Sequence, residues 1–530
     1  MVYIFGSDGA RTWFRNIDVT SPMPRNRKVR QLDELAALLK DLKSEGKRIV
    51  HSHGVFDLLH VGHIRHFEEA STMGDVLVVT ITGDEHVNKG PHRPTFPQDL
   101  RAEAIAALGT VDYVAINRWP LAVNAIKLLL PDTYVKGPDY QDVRKDITGG
   151  ILEEAAAVKA VGGEIRFTDD VTFSSSSVLN ERFSPYSGVT DRYLDDFRRR
   201  HSMGEVLGWL EQARSLRPLV IGEAIIDEYH FTNGIGKATK DPIVAVLHDR
   251  VETYAGGTLA IANHLAGLCD HVELVTQIGE AERRERTVRD LLKPNVRPQF
   301  TTKSGAPTIH KRRIVDEHSG NKLLEIYVMD DSPTGAADQE HLIDALDVSQ
   351  ARSDLIIVAD YGHGMLTKRA IDYLCGQEKF LAINVQTNAG NRGFNPISKY
   401  RLADYVCLAG HEIQIETRMR DVNMQEGTRE VLKRIECSRV LVTVGQEGIL
   451  HLDATDGFTK SQALASHVLD KVGAGDAVLA VTSLLEKIGA PTDIIGFIGN
   501  VAGAHVVASL GNAVPLDRVT LSRHITSLLK

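Results

Sequence analysis

The chain has 530 residues, more than one hydrophobic core usually organises, so two or three domains are expected. Its 43% hydrophobic and 25% charged residues are ordinary for a globular protein, and a net charge of −9 without a long basic run argues against nucleic acid as the main partner. Four cysteines without CxxC spacing argue against a disulfide framework or a zinc site. The start MVYIFGSDGARTWF lacks a signal-peptide pattern, and no apolar run approaches the roughly 20 residues that span a bilayer, so a cytoplasmic protein without a membrane partner is expected.

Residues 1–30 read as an exposed arm. LDELAALLKDLKSEG carries leucines at helical spacing and stops at Gly46. KRIVHSHGVFD reads as a strand running into a loop. DVLVVTIT, DYVAI, DTYVKG and EIRFTDDV are further strands, alternating with helical RAEAIAALGTV, NAIKLLL and ILEEAAAVKAVGG. That alternation predicts a doubly wound parallel sheet over 31–185. SPYSG and the charged DRYLDDFRRRHSMGEVLGWLEQARSLR predict a helical linker over 186–216. A second α/β domain, 217–530, opens with LVIGEAIIDEY. IVAVLHDRVETYAG, PTIHKRRIVDE and NKLLEIYVMDD predict a small sheet exposed on one side. Strand–helix alternation then resumes with DLIIVADYG, FLAINVQ, DYVCL and RVLVTVG, and two helices are predicted to close the chain.

HGVFDLLHVGH (53–63) places His60, Gly62 and His63 where the first strand of an α/β domain gives way to a helix. Ligands bind beyond the carboxyl ends of such strands, and helix N-termini favour phosphate. Gly62 permits close approach, and the histidines can donate to phosphoryl oxygens whose charge grows in the transition state. For HxxH alone, a ligand-free histidine pair at a helix start is the alternative.

The full string, with Gly54, Val55, Phe56 and Asp57, resembles the signature of the cytidylyltransferase-like nucleotidyltransferases, over residues 47–182. The resemblance implies roles for Lys89, Arg93 and Arg101. It implies a nucleotide base and ribose site at Lys136, Gly137 and Asp139 in VKGPDY. It also implies that Ser174, Ser175, Ser176 and Ser177 hold the β- and γ-phosphates. His60, His63 and Lys89 would then assist attack of a sugar phosphate on the α-phosphate of ATP or CTP, with Mg²⁺ on the triphosphate. Similar members often carry Asn where this chain has His53, which either alters the substrate pocket or is a packed or solvated histidine.

In LDKVGAGDAVLAV, the small residues Gly473, Ala474 and Gly475 let backbone N–H groups converge on an anion at a helix start. Asp476 could take the proton of an attacking sugar hydroxyl. On these four letters alone a helix cap is an equal reading. With AGGTLAIANHLAGL, DYGHGML and VTVGQEG, the stretch 217–520 resembles the ribokinase-like (PfkB) carbohydrate kinases; no P-loop is present. The resemblance implies sugar contacts from Asp227, Gly256, Gly257 and Asn263, a metal-associated Glu412, and a β-sheet lid that builds a homodimer. The sequence departs at Ala409, Asn384, Gln386 and Lys471.

Both halves together resemble the bifunctional heptose-phosphate kinase/heptose-1-phosphate adenylyltransferases, with the domain order reversed. The expected function is phosphorylation of a sugar phosphate followed by nucleotidyl transfer to an ADP-heptose-like product. The alternative is a monofunctional nucleotidyltransferase, using ATP or CTP and a sugar or polyol phosphate, that carries a degenerate kinase-fold module for binding or dimerisation.

Overall fold

The computed structural model describes residues 27–87, 93–138, 150–169, 186, 188–391 and 393–530. These divide into two compact units, one ending at 169 and the other running from 186 to 530; Arg93 is grouped with the second.

In the first unit, five strands form a parallel sheet: β1 (Ile49–Gly54), β2 (Val76–Thr82), β3 (Tyr113–Asn117), β4 (Thr133–Lys136) and β5 (Glu164–Phe167). Its order is β3-β2-β1-β4-β5, so the chain reverses direction across the sheet between β1 and β4. The helices are α1 (Leu32–Ser44), α2 (Val61–Ser71), α3 (Gln98–Ala106), α4 (Val123–Leu129) and α5 (Gly150–Ala160). They cover both faces: Phe67, Ala102 and Ile105 pack on one side of β1 and β2, and Leu32, Leu35 and Leu39 on the other. Strands buried on both faces explain the continuous apolar run VLVVTIT.

The second unit begins before β6. Helices α6 (Gly188–Arg200) and α7 (Met203–Ala213) cover the segment expected to be a linker. Leu194, Phe197, Val206 and Leu210 are instead part of this unit's larger core, and the Phe197 ring stacks on Phe497 at 4.2 Å. Charged residues dominate the sequence here because only one stripe of each helix is buried.

Strand β6 (Pro218–Lys237) serves two sheets. Its first half lies between β8 (Val272–Gly279) and β12 (Leu355–Asp360). Its second half pairs with β7 (Val244–Gly257) and β10 (Ile309–Asp316), and β10 pairs with β11 (Lys322–Val328), making a four-stranded lid. Gly222 permits the change of sheet, since a Cβ there would lie 2.1 Å from the Ala359 carbonyl oxygen. The main sheet continues through β9 (Val296–Lys303) on one side. On the other run β13 (Phe380–Val385), β14 (Leu402–Ala409), β15 (Glu436–Thr443), β16 (Ile449–Asp453) and β17 (Gly457–Ser461), the last two antiparallel.

One face of this sheet carries α8 (Thr258–Ala266), α14 (Ala474–Lys487), α15 (Thr492–Val507) and α16 (Arg518–Leu529). The other carries α10 (Ala336–Gln350), α11 (Lys368–Cys375), α12 (Gly410–Thr417) and α13 (Met424–Arg434); the short α9 (Glu285–Asp290) precedes β9. Three helices therefore close the chain where the sequence predicts two. No helix among the described residues is long and apolar enough to cross a membrane.

Replacing a fully buried, stacked aromatic leaves a cavity costing about 3–5 kcal/mol. Phe197→Ala should therefore lower the unfolding free energy of the second unit by about that amount in a denaturant titration. A loss near zero would mean that α6 is a dispensable connector.

Candidate active sites

In the first unit the carboxyl end of β1 leads into residues 54–60, and α2 starts at His60. Phe56 lies at φ 48°, a left-handed conformation that a phenylalanine adopts only under local constraint. Its ring folds back so closely that a Cβ on Gly54 would sit 2.9 Å from it. The same ring meets His63 edge-on at 5.2 Å. His60 is the N-cap of α2, and its Nδ1 accepts the Gly62 N–H at 3.1 Å. A neutral His60 ring therefore carries its proton on Nε2. His60 and His63 stack with centroids 3.9 Å apart. The structure thus brings Gly54, Val55, Phe56, His60, Gly62 and His63 to one strand end.

Asp57 is buried and accepts from both the backbone N–H and the hydroxyl of Thr95, so it fastens this loop to the segment before α3. Arg101 is 2% exposed and spends its guanidinium on the protein. It donates to the carbonyls of Phe96, Val55 and Thr82 at 2.9, 2.5 and 2.9 Å and to Asp84 at 2.6 Å. Expected as a nucleotide contact, Arg101 instead ties the ends of β1 and β2 together, because four of its five donors are already used.

Lys136 ends β4 and pairs with Glu154 at 2.9 Å, both buried. Gly137 follows with open space where a side chain would be. Arg93 is half-buried. Lys89, Asp139, Ser174, Ser175, Ser176 and Ser177 lie outside the described residues.

Sequence reasoning missed the polar layer beneath this loop. Thr80 Oγ1 contacts His51 Nε2 at 2.7 Å and His53 Nδ1 at 2.8 Å. On the neighbouring side, His66 spans Ser52 at 2.9 Å and Thr168 at 3.0 Å. Burial, followed by the Lys136 charge, pushes His53 down to about 3 and His66 down to about 4; burial lowers His51 as well. These imidazoles are neutral at physiological pH. His53, where similar sequences carry Asn, is a packed, hydrogen-bonded side chain.

In the second unit Asp476 lies in the first turn of α14, below Gly473, Ala474 and Gly475. Tyr361 Oη donates to its Oδ1 at 3.1 Å and Gln386 Nε2 to the same oxygen at 2.8 Å. Burial raises the Asp476 carboxyl to about 7, the two hydrogen bonds opposing the shift. Tyr361 comes from DYGHGML. The loop hangs on Glu223, whose carboxylate accepts the Tyr361 and His363 N–H groups at 3.2 and 3.0 Å. Gln386 follows β13, at a departure from the family pattern.

Asp227 is buried on β6 and binds Arg313 at 2.5 Å, while Arg313 Nε also donates to Glu325 at 2.7 Å. A Cβ on Gly256 would fall 2.4 Å from Asp227 Oδ2, and Gly257 lies at φ 54°, so both glycines are required where β7 ends beside Asp227. Lys311 pairs in register with Asp227, and its ammonium is lowered first by burial, with Asp227 opposing. Lys311 and Arg313 were overlooked; period-two alternation in HKRRIVD was the available signal.

Two expected roles change. Asn263 accepts the Lys293 N–H at 2.9 Å and donates to the Leu291 carbonyl at 2.8 Å. It therefore braces α8 rather than presenting itself to a sugar. Glu412 accepts the Ala409 N–H at 2.7 Å and the Thr387 N–H at 3.1 Å, with burial raising its carboxyl to about 7. It braces the N-terminus of α12. Among the described residues no cluster of three or more His, Cys, Asp or Glu is arranged to hold a metal ion.

The model of the pfkB family carbohydrate kinases matches residues 217–518, more than half of the chain. The chain belongs to this family. A second match, to the family described as Cytidylyltransferase-like, covers residues 52–182. Curated relatives match the nucleotidyltransferase part. "Bifunctional protein HldE" of Nitratiruptor sp. is 36% identical over 161 residues, 30% of this chain and 32% of that protein. Its namesake in Aliarcobacter butzleri is 41% identical over 142 residues, 26% of this chain and 29% of that protein. The chain thus spans about a third of the length of the curated relatives it matches. Among solved structures, Escherichia coli phosphofructokinase-2 in complex with substrates and products is 14% identical, with a TM-score of 0.49. That match covers 60% of this chain and all of that one.

With Asp476 as the base of the kinase unit, a carboxyl raised to about 7 is mostly protonated below that pH. Phosphoryl transfer should therefore rise with pH through about 7 and level off above it, read as kcat/KM. A flat profile from about pH 6 to about pH 8 would remove Asp476 as the base.

Proposed function

We propose that the chain is a bifunctional enzyme: the pfkB unit phosphorylates a sugar phosphate at its anomeric position, and the first unit joins the product to a nucleotide, releasing pyrophosphate. The observation that carries the kinase reading is the buried Asp476 carboxyl. Gln386 and Tyr361 both donate to Oδ1, which leaves Oδ2 as the basic atom for an attacking hydroxyl. Gln386 was a reason to suspect a degenerate module; as a donor to Asp476 it argues for a working site.

Lys311 supports a phosphorylated substrate. It brings a buried cation beside Asp227 that a neutral sugar would not need, while the Arg313 charge is answered by Asp227 and Glu325. ADP-heptose-like chemistry follows from the resemblance to the heptose enzymes. Magnesium suits both reactions, because it is bound largely by substrate phosphates and water and needs few protein carboxylates. The chain's own residues orient the sugar, exclude water and take its proton.

In the nucleotidyltransferase unit, an anionic sugar phosphate attacks the α-phosphate without a base. His60 and His63 are then donors to the spreading charge. ATP and CTP are both compatible with this reading. The unpaired thiols Cys269, Cys375, Cys407 and Cys437 accord with a cytoplasmic location.

The lid strands leave Ile235, Val244, Leu247, Leu323 and Leu324 exposed, which supports a homodimer formed through the lid. Light scattering should give twice the chain mass, and Val244→Asp with Leu247→Asp should return the monomer. A monomeric parent protein would refute the lid pairing.

The decisive test is phosphorus NMR with Mg²⁺. Heptose 7-phosphate with ATP should yield an anomeric phosphate, and heptose 1-phosphate with ATP or CTP should release pyrophosphate. Asp476→Asn should abolish the first reaction and spare the second. His63→Ala should slow the second by on the order of a hundredfold and spare the first. Pyrophosphate release without any anomeric phosphate would return the chain to a monofunctional transferase.

A further inference from the structure

Asn512 lies in the loop between α15 and α16. It is 6% exposed, yet neither its Oδ1 nor its Nδ2 has a hydrogen-bond partner. Buried carboxamides are nearly always paired, so an unpaired one signals a partner that arrives from outside the chain.

The loop holding it is firmly placed. Asp470 Oδ2 accepts the Gly511 N–H at 3.0 Å, and its Oδ1 accepts the Val472 N–H at 3.1 Å. One carboxylate thus fastens the Asn512 loop to the loop that enters α14. Tyr229 Oη donates to Asp470 at 3.1 Å, and Lys322 of the lid donates at 2.6 Å. Gly511, at φ 53°, leaves room for the Tyr229 hydroxyl, which a Cβ would approach to 2.9 Å.

This arrangement sets Asn512 against Gly473, the N-cap of α14. A Cβ on Gly473 would fall 1.8 Å from Asn512 Oδ1 and 3.3 Å from Nδ2, so the carboxamide occupies the space a side chain would take. Gly475, two residues on, has nothing within 4 Å of a Cβ position. The amides of residues 473–476 therefore have a donor-bearing side chain on one side and open space on the other.

We propose that Asn512 is a ligand of the phosphoryl group transferred by the kinase unit, its carboxamide N–H donating to a non-bridging oxygen beside the helix N-terminus. This rests on the kinase reading and adds a residue to it. In the step, the sugar oxygen forms a bond to the terminal phosphorus of ATP, and the bond from that phosphorus to the ADP oxygen breaks. The hydroxyl proton passes to Asp476. Charge spreads over three non-bridging oxygens, and backbone amides at one helix end cannot surround all three. A neutral side-chain donor from a separate loop extends the enclosure. Either end of a carboxamide can face the loop; an anion selects the N–H end.

The test is hydrogen exchange of the full chain, read on the peptide covering 469–481, with Mg·AMP-PNP and with Mg·ADP. Reading one peptide separates this site from the nucleotidyltransferase. In the parent protein AMP-PNP should protect the peptide more than ADP does. Asn512→Ala should lose that additional protection while ADP protection persists. Asn512→Asp, which keeps the shape but removes the donor, should do the same and guards against a folding defect in the alanine variant. Full AMP-PNP protection in either folded variant would overturn the assignment while leaving the kinase reading intact. No protection of the parent peptide by either nucleotide would overturn both.

Discussion

A carboxylic acid kept from water must be held by the protein, and Asp476 sets that requirement for the second unit. Its partners are brought by different strands. Tyr361 follows β12, Gln386 follows β13, and Glu223, which holds the Tyr361 loop, lies on β6 between β8 and β12. Adjacent parallel strands end at the same edge of a sheet, so residues distant in sequence meet above it. The same burial that raises the Asp476 carboxyl also makes each of its hydrogen bonds count for more.

The first unit applies the same edge geometry with different chemistry. Its strand-end loop carries two stacked imidazoles on a helix N-terminus, with a layer of neutral histidines and threonines beneath. Neutral imidazoles suit that layer. They can donate and accept without placing charge under the loop, and the buried Lys136 cation is answered by Glu154. Arg101 shows how a cation in a phosphate-handling domain can be wholly committed to scaffold. It holds three carbonyls and a carboxylate, and its removal would take the guanidinium from that cluster of acceptors.

The lid is joined to the main sheet and to the loop before GAGD by covalent continuity and an ion pair. β6 passes from the main sheet into the lid, carrying Asp227 and Tyr229. Lys322, on the outer lid strand, reaches Asp470 just before GAGD. A shift of the lid would therefore act directly on the loop that precedes Asp476. Arg313 bridges Asp227 on β6 to Glu325 on β11, which ties the lid strands together.

The alternation of strands and helices, the lid strands, the His60–His63 turn and the GAGD helix start were all legible in the sequence, because each is a local pattern of period, turn residue or spacing. The pairing of side chains was not. Asn263 and Arg101 sit at positions that read as ligand contacts, and only their neighbours, 28 residues and up to 46 residues away, show them to be braces. Gln386 looked like a loss until Asp476, 90 residues on, was placed beside it. Asn512 carried no signal at all, since a lone Asn after Gly reads as a turn. By itself the sequence determined the strand–helix alternation and marked the His60–His63 turn and the GAGD helix start, because backbone conformation answers to nearby residues. Tertiary structure alone decided which of those groups are already satisfied by the protein, because hydrogen bonding in a buried site depends on atoms that the chain brings together only when it folds.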